Sequence, residues 1–139
     1  MIYVDSNYWI YWLDSRLPEH QFVTRPMRTA ISDGILMNYV TLLEVAHHLR
    51  SLPKNQFVPL MDNIHNLSTL SMADLDGQTA RLALDLLSEY SNKGLGGRDC
   101  VIVASMQISN VRKILTHDEA FHSIHGITVE DYIPKKTSA

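Results

Sequence analysis

An α/β fold with a central, mostly parallel sheet is what this chain predicts, on three observations. Short β-prone runs alternate with amphipathic helical stretches along the whole length. At 139 residues, 45% hydrophobic and 19% charged, the chain is long enough to close one domain around a shared core. Acidic residues recur where a strand-like run gives way to a helix, the edge at which an open parallel sheet presents its crevice. The expected architecture is a three-layer α/β/α sandwich with four to five strands, residues 1–134 forming one domain and residues 135–139 a frayed polar tail.

Ile2-Tyr3-Val4 is β-prone and is stopped by Asp5-Ser6-Asn7, residue types that favour caps and turns; the aromatic-rich residues 8–13 then read as a helix. Pro18 precedes a second helical stretch over residues 19–31, which Pro26 should kink or divide and Asp33-Gly34 ends. Residues 35–39 form the next strand. Thr41 is expected to cap a helix over residues 42–52, with Leu42, Val45, Ala46 and Leu49 on one face and Glu44, His47 and His48 off it. Pro53 restarts the chain as a helix to residue 67, and a brief strand follows at 69–72. Asp74 or Asp76 caps a long helix to Tyr90, whose apolar face holds Ala80, Leu82, Ala83, Leu86 and Leu87. Gly94, Gly96 and Gly97 mark a flexible loop. Residues 99–108 fit either a buried strand or a buried helix; Ala104-Ser105-Met106-Gln107 extends the run and Ser109-Asn110 closes it, which selects a helix. Strands at 111–116 and 127–129 complete the sheet.

Composition narrows the function classes. The only cysteine, Cys100, lies in an apolar run, so an internal disulfide is impossible, a thiolate metal site is excluded and a reducing, cytoplasmic setting fits. No apolar stretch approaches the roughly 20 residues that cross a bilayer, and the first residues lack the pattern of a secretory signal. A net charge of −3 argues against a protein that coats nucleic acid, yet leaves a nuclease open, with Arg16, Arg25, Arg28, Lys93 and Arg98 as candidates to line a groove.

Asp5 and Asp118 are expected at the ends of two strands, Glu44 on the first turn after the second strand, and Asp99 at the opening of the helix that leads into the fourth. Singly, each has a plain reading: Asp5, Asp99 and Asp118 as helix caps, Glu44 as a solvated helix residue. Jointly they form an oxygen-only set suited to Mg²⁺ or Mn²⁺, which would polarise a phosphodiester and activate a water. Two ionised carboxylates about 4 Å apart cost on the order of 4 kcal/mol at an effective dielectric of about 20, so four together require a compensating cation. The histidines show no zinc-site spacing such as His-Glu-x-x-His and read as surface or packing residues, with His117 beside the acids. Tyr8, Trp9, Tyr11 and Trp12 stand at helical spacing, which favours burial against the core or a partner over stacking on bases.

The chain resembles the PIN-domain family, and within it the toxin-like ribonucleases of toxin–antitoxin modules. The resemblance rests on Ile2-Tyr3-Val4-Asp5-Ser6-Asn7, Thr41-Leu42-Leu43-Glu44-Val45, Arg98-Asp99-Cys100-Val101-Ile102-Val103-Ala104 and Leu115-Thr116-His117-Asp118-Glu119-Ala120-Phe121, in that order and spacing. It implies a PIN-like sandwich and a metal-dependent endoribonuclease in which Asp5, Glu44, Asp99 and Asp118 bind one or two divalent ions, supported by Ser6, Asn7 and Thr116. It also implies an RNA substrate, a cognate antitoxin and a homodimer. Some members carry a further acid after the fourth; here Ala120 and Phe121 stand there, with Glu119 as the one candidate, which places the second metal in doubt.

Two other functions fit parts of the pattern. A phosphoaspartyl phosphatase or receiver-like domain also puts an Asp after its first strand, but Ser6 and Asn7 stand where its second acid belongs. A PIN-like module that binds RNA or protein without turnover would keep the fold and dispense with the acids.

Overall fold

The computed structural model describes residues 1–135, so most of the expected polar tail lies outside the described residues. Five strands form one sheet: β1 (Ile2–Val4), β2 (Ile35–Asn38), β3 (Leu70–Ala73), β4 (Lys113–Leu115) and β5 (Thr128–Glu130). Their order is β3-β2-β1-β4-β5 and every pairing is parallel. The helices are α1 (Ser6–Leu13), α2 (His20–Asp33), α3 (Tyr39–Leu49), α4 (Lys54–His65), α5 (Gly77–Glu89) and α6 (Gly97–Ile108), with a short 3-10 helix at Glu119–Ser123.

Parallel strands need crossovers, and crossovers in this setting are right-handed. The first two connections step outward from β1 to β3; the third returns through α5 and α6 to place β4 on the other side of β1. Reversal of direction puts the two sets of helices on opposite faces. The packing follows: Val4, Ile35, Met37 and Leu115 meet Trp9, Met27, Val45 and Ile64 of α1–α4. Tyr3, Leu36 and Ile114 point the other way, toward Ala83 and Leu86 of α5 and Ile102 and Met106 of α6. Successive strand residues alternate faces, and both faces are covered, which is why the strands read as continuous apolar runs. The structure is thus the α/β sandwich expected, with a wholly parallel sheet of five strands.

Several local expectations change. Asn38, not Thr41, caps α3: its Oδ1 accepts from Val40 N–H at 3.0 Å, so β2 ends one residue earlier and the helix starts at Tyr39. Thr41 is buried inside the helix, its Oγ1 engaged at 2.7 Å by the Tyr3 hydroxyl. Glu44 therefore sits on the second turn rather than the first. α2 is not divided by Pro26 but runs through it to Gly34, whose φ of 108° is a conformation suited to glycine. Of the two capping candidates for α5, Asp76 is the cap, accepting from Thr79 N–H at 2.9 Å. Gly96 and Gly97 belong to the start of α6 rather than to a loop.

Residues 97–108 are helical, as length and closure indicated. Ser109-Asn110 ends α6 with a residue at φ 55°, and the N–H groups of Asn110 and Val111 return to Gln107 O and Met106 O at 3.2 and 2.9 Å. That is a Schellman stop, and the buried Val111 then leads the chain into β4.

Asn38 is the joint of the structure on the helix-rich side of β1. Wholly buried, its Nδ2 donates to Ser105 Oγ of α6 at 2.9 Å and to Asp74 O at 3.2 Å, and its own N–H reaches Tyr3 OH at 3.0 Å. Burial pushes the Tyr3 phenol up to about 12, so it stays neutral while it accepts from Asn38 and pairs with Thr41. Replacing Asn38 by Ala removes a cap and strands buried partners; the expected loss is about 2–4 kcal/mol of unfolding free energy in urea. A loss below about 1 kcal/mol would show that the amide joins nothing that matters.

Candidate functional site

The sheet reverses direction at β1, flanked by β2 on one side and β4 on the other, and the crevice at such a point lies beyond the carboxyl ends of the strands. Asp5 directly follows β1, Thr116 follows β4, and α3 leaves the end of β2. α6, packed across α5 and against α3, brings its N-terminal turn to the same edge, as its ion pairs with Asp5 and Glu44 require.

Asp5 is 1% exposed and fully engaged. Its Oδ1 accepts from Ser6 N–H at 2.7 Å, which caps α1, and its Oδ2 accepts from Thr116 Oγ1 at 2.7 Å. Asp99 occupies the third position of α6; its Oδ2 reaches back to Gly96 N–H at 3.2 Å, half of a capping box in which glycine has no side chain to return the bond. Glu44 projects from α3 and accepts through Oε1 from Ser6 Oγ in a short contact. All three acids turn to one guanidinium, Asp5 through the same Oδ1 that caps α1, Glu44 and Asp99 through their remaining oxygens. Arg98 Nη1 stands 3.2 Å from Asp5 Oδ1, Nε 2.7 Å from Glu44 Oε2, and Nη2 2.8 Å from Asp99 Oδ1.

Asp118 stands aside from this cluster. It caps the 3-10 helix, its Oδ1 accepting from Ala120 N–H at 3.0 Å, which is the plain reading of an Asp at that place. Its backbone N–H donates to Thr116 Oγ1 at 3.1 Å, so one hydroxyl links Asp118 to Asp5. Asn7 supports the same corner: Nδ2 approaches Thr116 Oγ1 at 3.4 Å and Oδ1 accepts from His117 N–H at 3.3 Å. The structure thus brings Asp5, Glu44 and Asp99 around one charge, with Ser6, Asn7 and Thr116 bracing them and Asp118 one hydroxyl away.

The donor set fits a hard divalent cation in kind: oxygen donors from three separate elements, two of them braced by hydroxyls, already converge on a positive charge. In spacing it is arranged for a guanidinium. Among the described residues no three acids or histidines stand close enough to clasp an ion. A guanidinium holds its acceptors at 2.7–3.2 Å from three separated nitrogens, whereas Mg²⁺ draws oxygens to about 2.0–2.1 Å from one centre. The expected compensating cation is therefore supplied, in part, by the chain itself. Arg98 sits among the acids rather than along an outer groove, while Arg16 pairs with Asp14 at 2.9 Å and stays exposed.

The other candidates sort out by burial. Tyr8 and Trp9 are wholly buried and Tyr11 and Trp12 are packed on the same core, which removes Tyr8 and Trp9 as exposed contacts for a partner. His117 bonds through Nδ1 to Asp131 Oδ2 at 2.7 Å, and the Tyr8 hydroxyl donates to the other oxygen of that carboxylate at 2.6 Å, tying the segment after β5 onto α1. A hollow of about 280 Å³ beside α2, lined by Met1, Arg25, Pro26, Lys113 and Tyr132 among others, contains none of the four acids. Convergent charge marks the candidate site better than volume does. Sequence reasoning missed Asn38, which orients α3 and hence Glu44, and the seat of Arg98. The first had a signal, an Asn closing the apolar run Ile35-Leu36-Met37; the second had only its adjacency to Asp99.

A family model for the PIN domain matches residues 2–127. Among solved structures, the chain is similar to the Mycobacterium tuberculosis VapC20, a sarcin–ricin loop cleaving toxin, at 12% identity and a TM-score of 0.78, covering 91% of this chain and 97% of that one. It is similar to DNA-bound VapBC from Salmonella typhimurium at 22% identity and a TM-score of 0.70, covering 95% and 99%. It is likewise similar to FitAcB from Neisseria gonorrhoeae at 17% identity and a TM-score of 0.71, covering 93% and 96%. No curated protein sequence matches the chain. At these identities the structural likeness speaks to the fold.

Burial raises the affinity of Asp99 for its proton, with the charges of Asp118 and Asp5 adding and the Gly96 N–H and Arg98 opposing. The folded state then binds this proton more tightly than the unfolded chain. Asp99's contribution favours the fold below the ordinary carboxyl value of 3.8 and is lost as pH rises through the raised folded value. In chelator, the unfolding free energy of the wild type minus that of Asp99→Asn should fall over that window and then level. A difference that climbs instead would show the Arg98 pair outweighing burial.

Proposed function

This chain belongs to the PIN domain family, and from that premise we propose that it is a metal-dependent endoribonuclease, the toxin of a toxin–antitoxin pair. The observation that carries the reading is the convergence of Asp5, Glu44 and Asp99, from three separate elements, on a single positive charge at the crevice of the sheet. Asp118 completes the acidic rim through Thr116. Among similar structures, one is a sarcin–ricin loop cleaving toxin and another a toxin–antitoxin complex from Klebsiella pneumoniae, which supports the substrate class and the partner.

In this reading Asp5, Glu44, Asp99 and Asp118 hold Mg²⁺ or Mn²⁺. When bound, that ion supplies Lewis-acid polarisation of the scissile phosphate and activation of the attacking water. The chain's own work is positional. Thr116 fixes one oxygen of Asp5, Ser6 one oxygen of Glu44, and the Gly96 N–H one oxygen of Asp99, so that each carboxylate keeps its second oxygen turned inward. Asn7 steadies the Thr116 corner. The protein is proposed to act as a homodimer in the cytoplasm, with an antitoxin segment covering the acidic groove. Consistent with this, no helix among the described residues is long and apolar enough to cross a membrane.

One observation favours a second reading. Arg98 supplies part of the counter-charge of three acids, so a module that binds RNA or protein without turnover has less reason to shed them. The two part company in a cleavage assay on labelled single-stranded and stem-loop RNA. The nuclease reading expects Mg²⁺- or Mn²⁺-dependent product that chelator abolishes. It also expects Asp99→Asn to lose more than about a hundredfold in rate, beyond the 10–100-fold typical of a supporting residue, with unchanged circular dichroism. RNA binding that survives chelator with no product in any metal supports the second reading; full activity in Asp99→Asn removes Asp99 from the machinery.

A further inference from the structure

Each of the three converging carboxylates has two oxygens; Glu44 and Asp99 divide theirs between separate partners, while Asp5 Oδ1 serves both the Ser6 N–H and Arg98. One oxygen of each is held by the chain: Asp5 Oδ2 by Thr116, Glu44 Oε1 by Ser6, Asp99 Oδ2 by the Gly96 N–H. The other oxygen of each is bonded by a different nitrogen of Arg98. These inward oxygens are the ones a cation in the hollow would need. A planar guanidinium and a divalent ion cannot share them, since the first spreads its acceptors over three nitrogens and the second gathers them at one point. Burial works against the charge of Arg98, but Asp5, Asp99 and Glu44 outweigh it and hold the guanidinium's pKa above its ordinary value, so it remains a cation in that seat.

Arg98 is not sealed in its seat. It is the second residue of α6, its side chain is 31% exposed, and a Cβ added at Gly96 or Gly97 beside it would meet nothing within 4 Å, so the guanidinium borders solvent while it bridges the acids.

We propose that Arg98 is a built-in counter-cation that seats in the carboxylate hollow and excludes a divalent ion, so that guanidinium and metal occupy the hollow in alternation and Arg98 sets the cation affinity of the site. The inference rests on the reading of the hollow as a divalent-cation site. Its consequence is that the protein folds with its acids partly neutralised before any metal arrives, and that apparent metal affinity is reduced to the fraction of molecules in which Arg98 is not seated.

The test is direct Mn²⁺ binding, followed by the free-ion electron paramagnetic resonance signal, to the full chain as wild type, Arg98→Gln and Asp5→Asn. Arg98→Gln should bind about tenfold or more tightly than wild type, as removal of a competing seated state predicts, and Asp5→Asn should lose binding. A second readout uses the wild type alone, so that a variant unable to fold without metal leaves the question open to decision. On stepwise addition of Mg²⁺, the Arg98 Nε–H nitrogen resonance should move from its hydrogen-bonded position to a solvent-exposed one as the ion saturates. Equal or weaker Mn²⁺ binding by Arg98→Gln, or an Arg98 resonance unmoved at saturation, overturns the exclusion while leaving the cation site standing. Absence of Mn²⁺ and Mg²⁺ binding in both wild type and Arg98→Gln defeats the cation-site reading itself, and the inference with it.

Discussion

Repulsion among Asp5, Glu44 and Asp99 at the carboxyl edge of the sheet is the constraint around which this protein is organised. Two such charges about 4 Å apart cost on the order of 4 kcal/mol at an effective dielectric of about 20, and here three meet with one of them almost wholly buried. The fold accommodates them because every oxygen has a donor, from hydroxyl or amide groups of the chain or from Arg98, and Asp5 Oδ1 has both. The strand order β3-β2-β1-β4-β5 matters because it opens the crevice beside β1 and lets α3 and α6 deliver carboxylates from opposite sides of the sheet. Asn38 is the lock between those two helices, bonded to both the start of α3 and the middle of α6.

Much of the architecture was legible because it rests on periodicity. Alternating apolar runs located the strands to within a residue or two, and the stop at Ser109-Asn110 resolved the ambiguous run 99–108 as a helix. The misreadings share a cause: a residue's local preference was outbid by a partner distant in sequence. Thr41 has a good capping side chain, but Tyr3 holds its hydroxyl, so the capping duty falls to Asn38. Pro26 lacks an N–H yet lies within a helix whose buried residues, Val23, Met27 and Ala30, anchor it to the core. The positions of the four acids were legible as a pattern along the chain. Which oxygen faces inward, and that Arg98 sits among them, depends on contacts spanning up to 111 residues, which no local rule encodes.

The capping contacts of Asp5 and Asp99 and their contacts with Arg98 involve the same carboxylates. Asp5 caps α1 with the oxygen that Arg98 also touches, and Asp99 reaches back to Gly96 with the oxygen it does not offer to Arg98. Capping pins the carboxylates of Asp5 and Asp99, the Ser6 hydroxyl pins that of Glu44, and each keeps an oxygen in contact with Arg98. Asp118 shows the limit of that logic, since it caps the 3-10 helix and stays outside the guanidinium's reach. Arg98, adjacent in sequence to one acid, is bonded to three.

The central claim, that the inward oxygens of Asp5, Glu44 and Asp99 form a seat for a divalent cation, is tested most directly by crystals of the full chain grown with Mn²⁺ and measured for anomalous scattering. The account predicts a manganese peak bounded by those three side chains, with the Arg98 guanidinium withdrawn from between them. A manganese peak elsewhere, or Arg98 still bridging the three carboxylates at saturating Mn²⁺, would contradict it.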